Sequence, residues 1–213
     1  MEPIELAKKV RDLRNDDEVR RQVENRLKEF ELIGRSDRIA WLKEMVFCIL
    51  AANFSAIKAY KMALELEKSG LLTSGDRKEI SLRLRSMGHR FYNTRAAFIV
   101  GARNRLNEVY RTIPKLTDFE ARDWLRSKIK GFGMKESSHF LRNVGRKDLA
   151  IIDRHILRVL IKHEVISEIP RVLTRRKYIF LEEKLREVAR LCQVSLAELD
   201  LYLWYSETGF VFR

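Results

Sequence analysis

The chain has 213 residues, 46% of them apolar, with only 9 glycines and 3 prolines. That balance allows one large domain or two small lobes around a buried core, and excludes a disordered, collagen-like or low-complexity chain. Lys and Arg number 43 against 30 Asp and Glu, a net charge of +13, which points to a polyanionic partner. Nucleic acid comes first, although ribosome-associated and membrane-surface proteins share this signature.

The amino terminus, Met1-Glu2-Pro3-Ile4-Glu5, carries no basic-then-apolar signal pattern, and the longest apolar run, residues 45–52, is too short for a membrane span. A soluble, cytoplasmic chain is expected. Along the chain, apolar residues recur at helical period. Val19, Val23, Leu27 and Phe30 form the first stripe. From Ile39 to Leu50 they fall on every side, which predicts a central, fully buried helix. Residues 81–107 hold six arginines (83, 85, 90, 95, 103 and 105) and no acid, with Phe91, Tyr92 and Phe98 interleaved. This pattern suits either a phosphate backbone with an unstacked base, or an amphipathic helix with aromatics inside and arginines in water. Thr117-Asp118-Phe119-Glu120 and Ser195-Leu196-Ala197-Glu198 have the form of capping boxes. Leu181, Leu185, Val188 and Cys192 form a late stripe.

Breaks are expected at 15–16, 34–36, 69–75, 87–88, 113–114, 131–133, 144–145 and 169–170. No alternating stretch is long enough for a strand. About ten or eleven helices with short connections follow, so the fold class is all-α. Cys48 and Cys192 sit in apolar helical surroundings and are expected to be buried thiols. Two cysteines cannot hold a four-ligand iron–sulfur cluster. His89, His139, His155 and His163 lack zincin spacing, so no metal or cofactor is expected.

Residues 117–143 carry the chemistry. A capped helix runs into Ile129-Lys130-Gly131-Phe132-Gly133-Met134-Lys135, followed by a second helix. Two glycines around one apolar residue are expected to take positive φ twice, with Phe132 anchoring the turn in the core. The next amides, at a helix start, can hold a DNA phosphate without reading sequence, which makes Gly131 and Gly133 phosphate-site candidates. Lys135 follows at once. Asp153, in Ala150-Ile151-Ile152-Asp153-Arg154-His155-Ile156-Leu157, has the position of an N-cap at a helix start.

Gly131-Phe132-Gly133-Met134-Lys135 followed by Ile152-Asp153 resembles the helix–hairpin–helix DNA glycosylase superfamily. With Glu136-Ser137-Ser138-His139-Phe140-Leu141-Arg142-Asn143, the chain from about residue 35 to 213 is most similar to the compact second type of 8-oxoguanine DNA glycosylase/AP lyase. The loop before Asp153 departs from the pattern, having Gly145 but no proline. The resemblance implies an all-α fold of two lobes. Residues 35–145 form one lobe, and 1–34 plus 146–213 the other, with the active cleft between them. It also implies a monomer acting on double-stranded DNA that contains oxidised guanine.

On this resemblance Lys135 and Asp153 are catalytic. The uncharged Lys135 amine attacks C1′ of the damaged nucleotide, forming a Schiff base that allows β-elimination, while Asp153 stabilises positive charge on the sugar. Asn53 fills the gap left by the flipped base, although an Asn ending a helix explains it equally well. Phe91 and Trp204 sandwich the flipped purine, the alternative for Trp204 being core packing. Arg213 brings its terminal carboxylate to N7–H of the lesion, a donor that guanine lacks. An endonuclease-III-like enzyme for other oxidised bases and a non-enzymatic DNA-binding hairpin module stay open as alternatives.

Overall fold

The computed structural model describes residues 2–213, with side chains from Pro3 onward. Among them it contains twelve α-helices and one 3-10 turn, and no strand, so the all-α expectation is met. In order these are α1 (Glu2–Asn15), α2 (Asp17–Arg35), α3 (Arg38–Ala51), α4 (Ala56–Lys68), α5 (Arg77–Ser86), α6 (Tyr92–Asn104) and α7 (Leu106–Thr112). The 3-10 turn Ile113–Lys115 precedes α8 (Asp118–Lys128), α9 (Met134–Asn143), α10 (Arg154–Lys162), α11 (Arg175–Cys192) and α12 (Leu196–Thr208). They divide into two compact units, one of Ile33–Val144 and one of the residues up to Leu32 with Gly145–Arg213.

In the first of these units α3 is the central element. Asp37 starts it by accepting the amides of Ile39 and Ala40 at 3.0 and 2.9 Å. Buried residues run from Met45 through Ala51 without a gap, because α4, α6, α7 and α9 all pack against it. One polar exception lies inside: Glu44 is buried and accepts a hydrogen bond from Asn143 Nδ2 on α9 at 2.8 Å. Lys43 departs from the fully buried expectation, since it reaches outward to Glu67 on α4 at 3.1 Å. In the other unit α1 packs on α11 and α12, and α10 and α11 also pack on α12. Leu181, Leu185, Val188 and Cys192 all face inward there. Both cysteines are free and buried, and burial pushes both thiols above their ordinary range.

The helix count exceeds the expected ten or eleven for a local reason. Arg105 (φ −100°, ψ 2°) ends α6 and begins α7 with neither glycine nor proline at the break. Gly34, expected to interrupt the chain, lies inside α2, and the break comes after Arg35. Thr117 forms the complete capping box with Glu120, whereas at Ser195 only the hydroxyl half forms, accepting the Glu198 amide at 3.1 Å.

Candidate active site

The hairpin joins α8 to α9. Gly131 has φ +92°, and a Cβ there would lie 2.5 Å from Cδ2 of Phe98, so both the backbone and the close approach require glycine. Gly133 does not follow the expectation of a second positive φ: it is extended (φ −95°, ψ −163°) because it is the N-cap of α9. Its amide donates to Oε2 of Glu136 at 3.2 Å, the reciprocal half of a capping box in which glycine has no side chain to offer. The Gly133 amide is therefore engaged within the protein. Those of Gly131, Met134 and Lys135 have no acceptor among the described residues. Phe132 is buried against Phe140, ring centroids 5.9 Å apart, and anchors the turn as expected.

Lys135 stands in the first turn of α9 and is half-buried. Its ammonium has neither ion pair nor hydrogen bond among the described residues. The helix beneath it is held firmly. Phe140 meets the edge of Trp41 at 5.7 Å, His139 meets Phe47 at 5.2 Å, and Arg142 donates to Asn143 Oδ1, whose amide reaches Glu44. Cys48 of α3 lies close enough to feel the Lys135 charge, which opposes the larger effect of burial on that thiol.

The same unit ties the Asn53 loop to Phe91. Asn53 is exposed with φ +57°, ending the turn after α3, and its carbonyl accepts from Arg90 Nη2 at 2.9 Å. Arg90 also lies over the Phe91 ring, 5.2 Å from the centroid. Arg95 is buried and donates to the Ala52 carbonyl at 2.7 Å. Its guanidinium lies 5.7 Å from the Phe91 ring and 5.8 Å from that of Phe98, the ring that abuts Gly131. Burial lowers the Arg95 pKa, and the Glu136 carboxylate opposes this. Hairpin, Asn53 loop and Phe91 are thus joined through one guanidinium.

His89 completes the arrangement. Its Nε2 lies 3.1 Å from the Leu50 carbonyl, and its Nδ1 accepts the Phe91 amide at 3.1 Å. This pairing needs the neutral tautomer protonated at Nε2. Burial, reinforced by Arg95 and Arg90, lowers the His89 pKa in keeping with that form. Phe54 stacks on the imidazole at 4.3 Å. Phe91 itself is 42% exposed, a ring held by its neighbours yet partly open to solvent.

In the other unit Asp153 is the N-cap of α10, as its place in the sequence predicts. Oδ1 accepts the amides of His155 and Ile156 at 2.8 and 3.0 Å, and Oδ2 has no partner among the described residues. The preceding loop lacks proline but is held by one face of α11. Tyr178 Oη donates to the Ala150 carbonyl at 2.7 Å and accepts the Ile152 amide at 3.2 Å. Buried Glu182 accepts the Ala150 amide at 3.3 Å, and Arg186 donates to the Asp148 carbonyl at 3.1 Å. Trp204 on α12 is half-buried. His155 lies 5.2 Å from it, Phe212 of the tail 6.4 Å, and its buried Nε1–H has no partner among the described residues. At the tail, Arg213 is buried with its guanidinium 5.9 Å from the Phe30 ring.

Residues 23–194 match the family model described as 8-oxoguanine DNA glycosylase.

The chain belongs to the 8-oxoguanine DNA glycosylase family.

Among its relatives, the 8-oxoguanine DNA glycosylase/AP lyase of Methanocaldococcus jannaschii is 43% identical over 213 residues, covering 98% of this chain and 99% of its own. A crystal structure of the Methanocaldococcus jannaschii glycosylase/lyase with a 15mer DNA containing 8-oxoguanine superposes with a TM-score of 0.93. The two are 41% identical, and the match covers 98% of this chain and 99% of that one. The 8-oxoguanine DNA glycosylase of Thermotoga maritima gives 0.91 at 37% identity, over 99% of this chain and 100% of its own.

Several residues that hold this family member's candidate site were not singled out from sequence. Tyr178, Glu182 and Arg186 recur every four residues on a helix whose stripe is otherwise apolar, a polar row that signals a purpose other than solvation. His89 and Arg95 carry no such local sign. Their partners Leu50 and Ala52 are 39 and 43 residues away in the chain.

Proposed function

We propose that this chain excises 8-oxoguanine from double-stranded DNA and then nicks the strand as an AP lyase, with Lys135 as nucleophile and Asp153 as electrostatic partner. The observation that carries the reading is the Lys135 amine, two residues beyond the hairpin glycines and free of any carboxylate among the described residues. The uncharged amine attacks C1′ while the C1′–N9 bond breaks; the purine leaves with the bonding pair and takes up a proton. Positive charge develops on the sugar during this step, and the free Oδ2 of Asp153 is suited to stabilise it. One of the two protons on the attached nitrogen then passes to the ring oxygen as the C1′–O4′ bond opens, which leaves the protonated Schiff base at C1′. Removal of a C2′ proton then expels the 3′ phosphate, breaking the C3′–O bond.

The amides of Gly131, Met134 and Lys135 supply the phosphate contact at the hairpin, Gly133 contributing through its extended backbone rather than its amide. Phe91 is suited to stack on an extruded purine, its partly exposed ring flanked by Arg90 and Arg95; such stacking contributes on the order of 1–3 kcal/mol. Trp204 is suited to the opposite face and Arg213, the terminal residue, to the oxidised edge, while Asn53 on its exposed turn fills the vacated stack. The enzyme acts as a monomer in the cytoplasm, on the chromosome; among the described residues no helix is long and apolar enough to cross a membrane.

Borohydride reduction on a duplex carrying 8-oxoguanine tests the reading. The wild-type chain is expected to form a covalent adduct and a nicked strand, and Lys135→Gln neither. An adduct that persists in Lys135→Gln would assign the nucleophile elsewhere, and no adduct with wild type would leave a DNA-binding module.

A further inference from the structure

The arginine-rich segment 81–107 is mostly used by the protein itself. Arg83 pairs with Glu65, and Arg105 with Glu108 at 2.7 Å. Arg90, Arg95 and Arg103 donate to the carbonyls of Asn53, Ala52 and Gly75. Arg85 is the exception. Among the described residues its guanidinium has no hydrogen-bond acceptor and no carboxylate; it lies over the Tyr92 ring, 5.6 Å from the centroid.

Arg85 lines an open pocket of about 530 Å³ with Arg77 and Lys78 from the same helix, α5, and with Tyr92 and Asn93 from the start of α6. Arg77 and Lys78 also lack any acceptor or ion pair among the described residues, and no acid lines the pocket. The nearest acids in sequence, Asp76 and Glu79, are bound to each other's amides in the capping box of α5. Ser81, a buried lining residue, donates to Asn93 Oδ1 at 2.5 Å, which leaves the Asn93 Nδ2 group, without an acceptor among the described residues, as a further donor. Three cations that repel one another are thus gathered around donors with no counter-charge.

We propose that this pocket is a second phosphodiester-binding site, separate from the hairpin, that grips a DNA strand. The proposal rests on the reading of the chain as a DNA-repair enzyme. Arg77 and Arg85 are eight residues apart on one helix, about 12 Å along its axis. A DNA strand carries one charge per ~3.4 Å. The cations are therefore spread to meet successive phosphates of a strand rather than one free ion, and the pocket is open rather than enclosed. The Tyr92 ring lies within cation–π reach of the Arg85 guanidinium, 5.6 Å from its centroid.

The test uses the full chain and an undamaged duplex, so that binding is read without chemistry. Fluorescence anisotropy across a salt series gives the slope of log Kobs against log salt, which changes by about 0.9 per phosphate contact. The triple variant Arg77→Ala, Lys78→Ala, Arg85→Ala is expected to bind tenfold or more weakly near 0.1 M salt, with a slope shallower by roughly 1.8–2.7 for two to three lost contacts. A control that removes the same charge from α1 and α2, Lys8→Ala, Arg21→Ala, Lys28→Ala, is expected to change the slope by less than one contact. Equal slope changes in the two triples would reduce the pocket to net charge and overturn the proposal. So would displacement of the duplex by 1 mM inorganic phosphate beyond what chloride of equal ionic strength achieves, since that would make the ligand a free anion. If the triple variant melts early, Arg85→Gln alone is expected to shallow the slope by about 0.9, and an unchanged slope overturns the proposal. A null result here alongside intact borohydride trapping overturns only the pocket; absent duplex binding by wild type overturns the reading beneath it.

Discussion

Replacing Gly131 by alanine separates two costs that the structure assigns to this glycine. A residue with a side chain at φ +92° carries about 1–2 kcal/mol of backbone strain. The added Cβ would also stand 2.5 Å from Cδ2 and 3.1 Å from Cε2 of Phe98, a ring restrained by the Arg95 guanidinium. Overpacking of this kind costs typically about 1–3 kcal/mol more. Gly88 provides the internal control, with φ +81° and nothing within 4 Å of the position its Cβ would take. Gly88→Ala is therefore expected to cost only the strain, and Gly131→Ala about 2–5 kcal/mol in all. At about 2–4 °C per kcal/mol for a chain of this size, Gly131→Ala should melt roughly 2–12 °C below Gly88→Ala. Circular dichroism melts give the comparison. Adding Phe98→Leu to Gly131→Ala should recover part of the difference by removing the ring that clashes. Equal melting temperatures for the two alanine variants would refute the steric part of the reasoning.

Two further outcomes follow from the capping carboxylate and the buried imidazole. Asn caps a helix about as well as Asp, so Asp153→Asn should keep the melting temperature within about 1 °C, whereas Asp153→Ala loses ~1 kcal/mol. Both should slow single-turnover excision by about 100-fold or more if the carboxylate stabilises the sugar cation; an Asn variant with wild-type excision would confine Asp153 to capping. The second concerns pH. Burial first, then Arg95 and Arg90, lower the His89 pKa below its ordinary 6.5. The unfolded chain therefore binds the proton more readily, so His89 leaves stability intact above pH 6.5 and erodes it as pH falls toward the folded value. His163, also lowered by burial, adds a slope of the same sign. Urea titrations from pH 7.5 to 5 should show that His89→Gln has a shallower decline than wild type, and an identical decline would remove His89 as a contributor.

Much of the chain's local architecture is legible one segment at a time. Thr117 with Glu120, Asp153 and Ser195 each start a helix by binding amides two or three residues away, so their roles depend on neighbours in sequence. The apolar stripe of α11 and the all-round apolarity of α3 likewise announce which faces are buried, since helical period converts spacing into direction. Phe132 between its glycines, with Lys135 two residues beyond them, marks the hairpin in the same local way.

Tertiary structure alone decided how the polar groups are used. Composition gives six arginines between 81 and 107, but it cannot say that four reach carbonyls or a carboxylate far away in the chain and Arg105 the nearby Glu108, while Arg85 reaches none. Nor can it say that Gly131 needs its left-handed backbone and Gly133 does not, because Phe98 and Glu136 make that distinction. The break at Arg105 and the clamp at His89 belong here too. Hydrophobic pattern is a property of consecutive residues, whereas a hydrogen bond joins whichever donor and acceptor the folded backbone brings within about 3 Å.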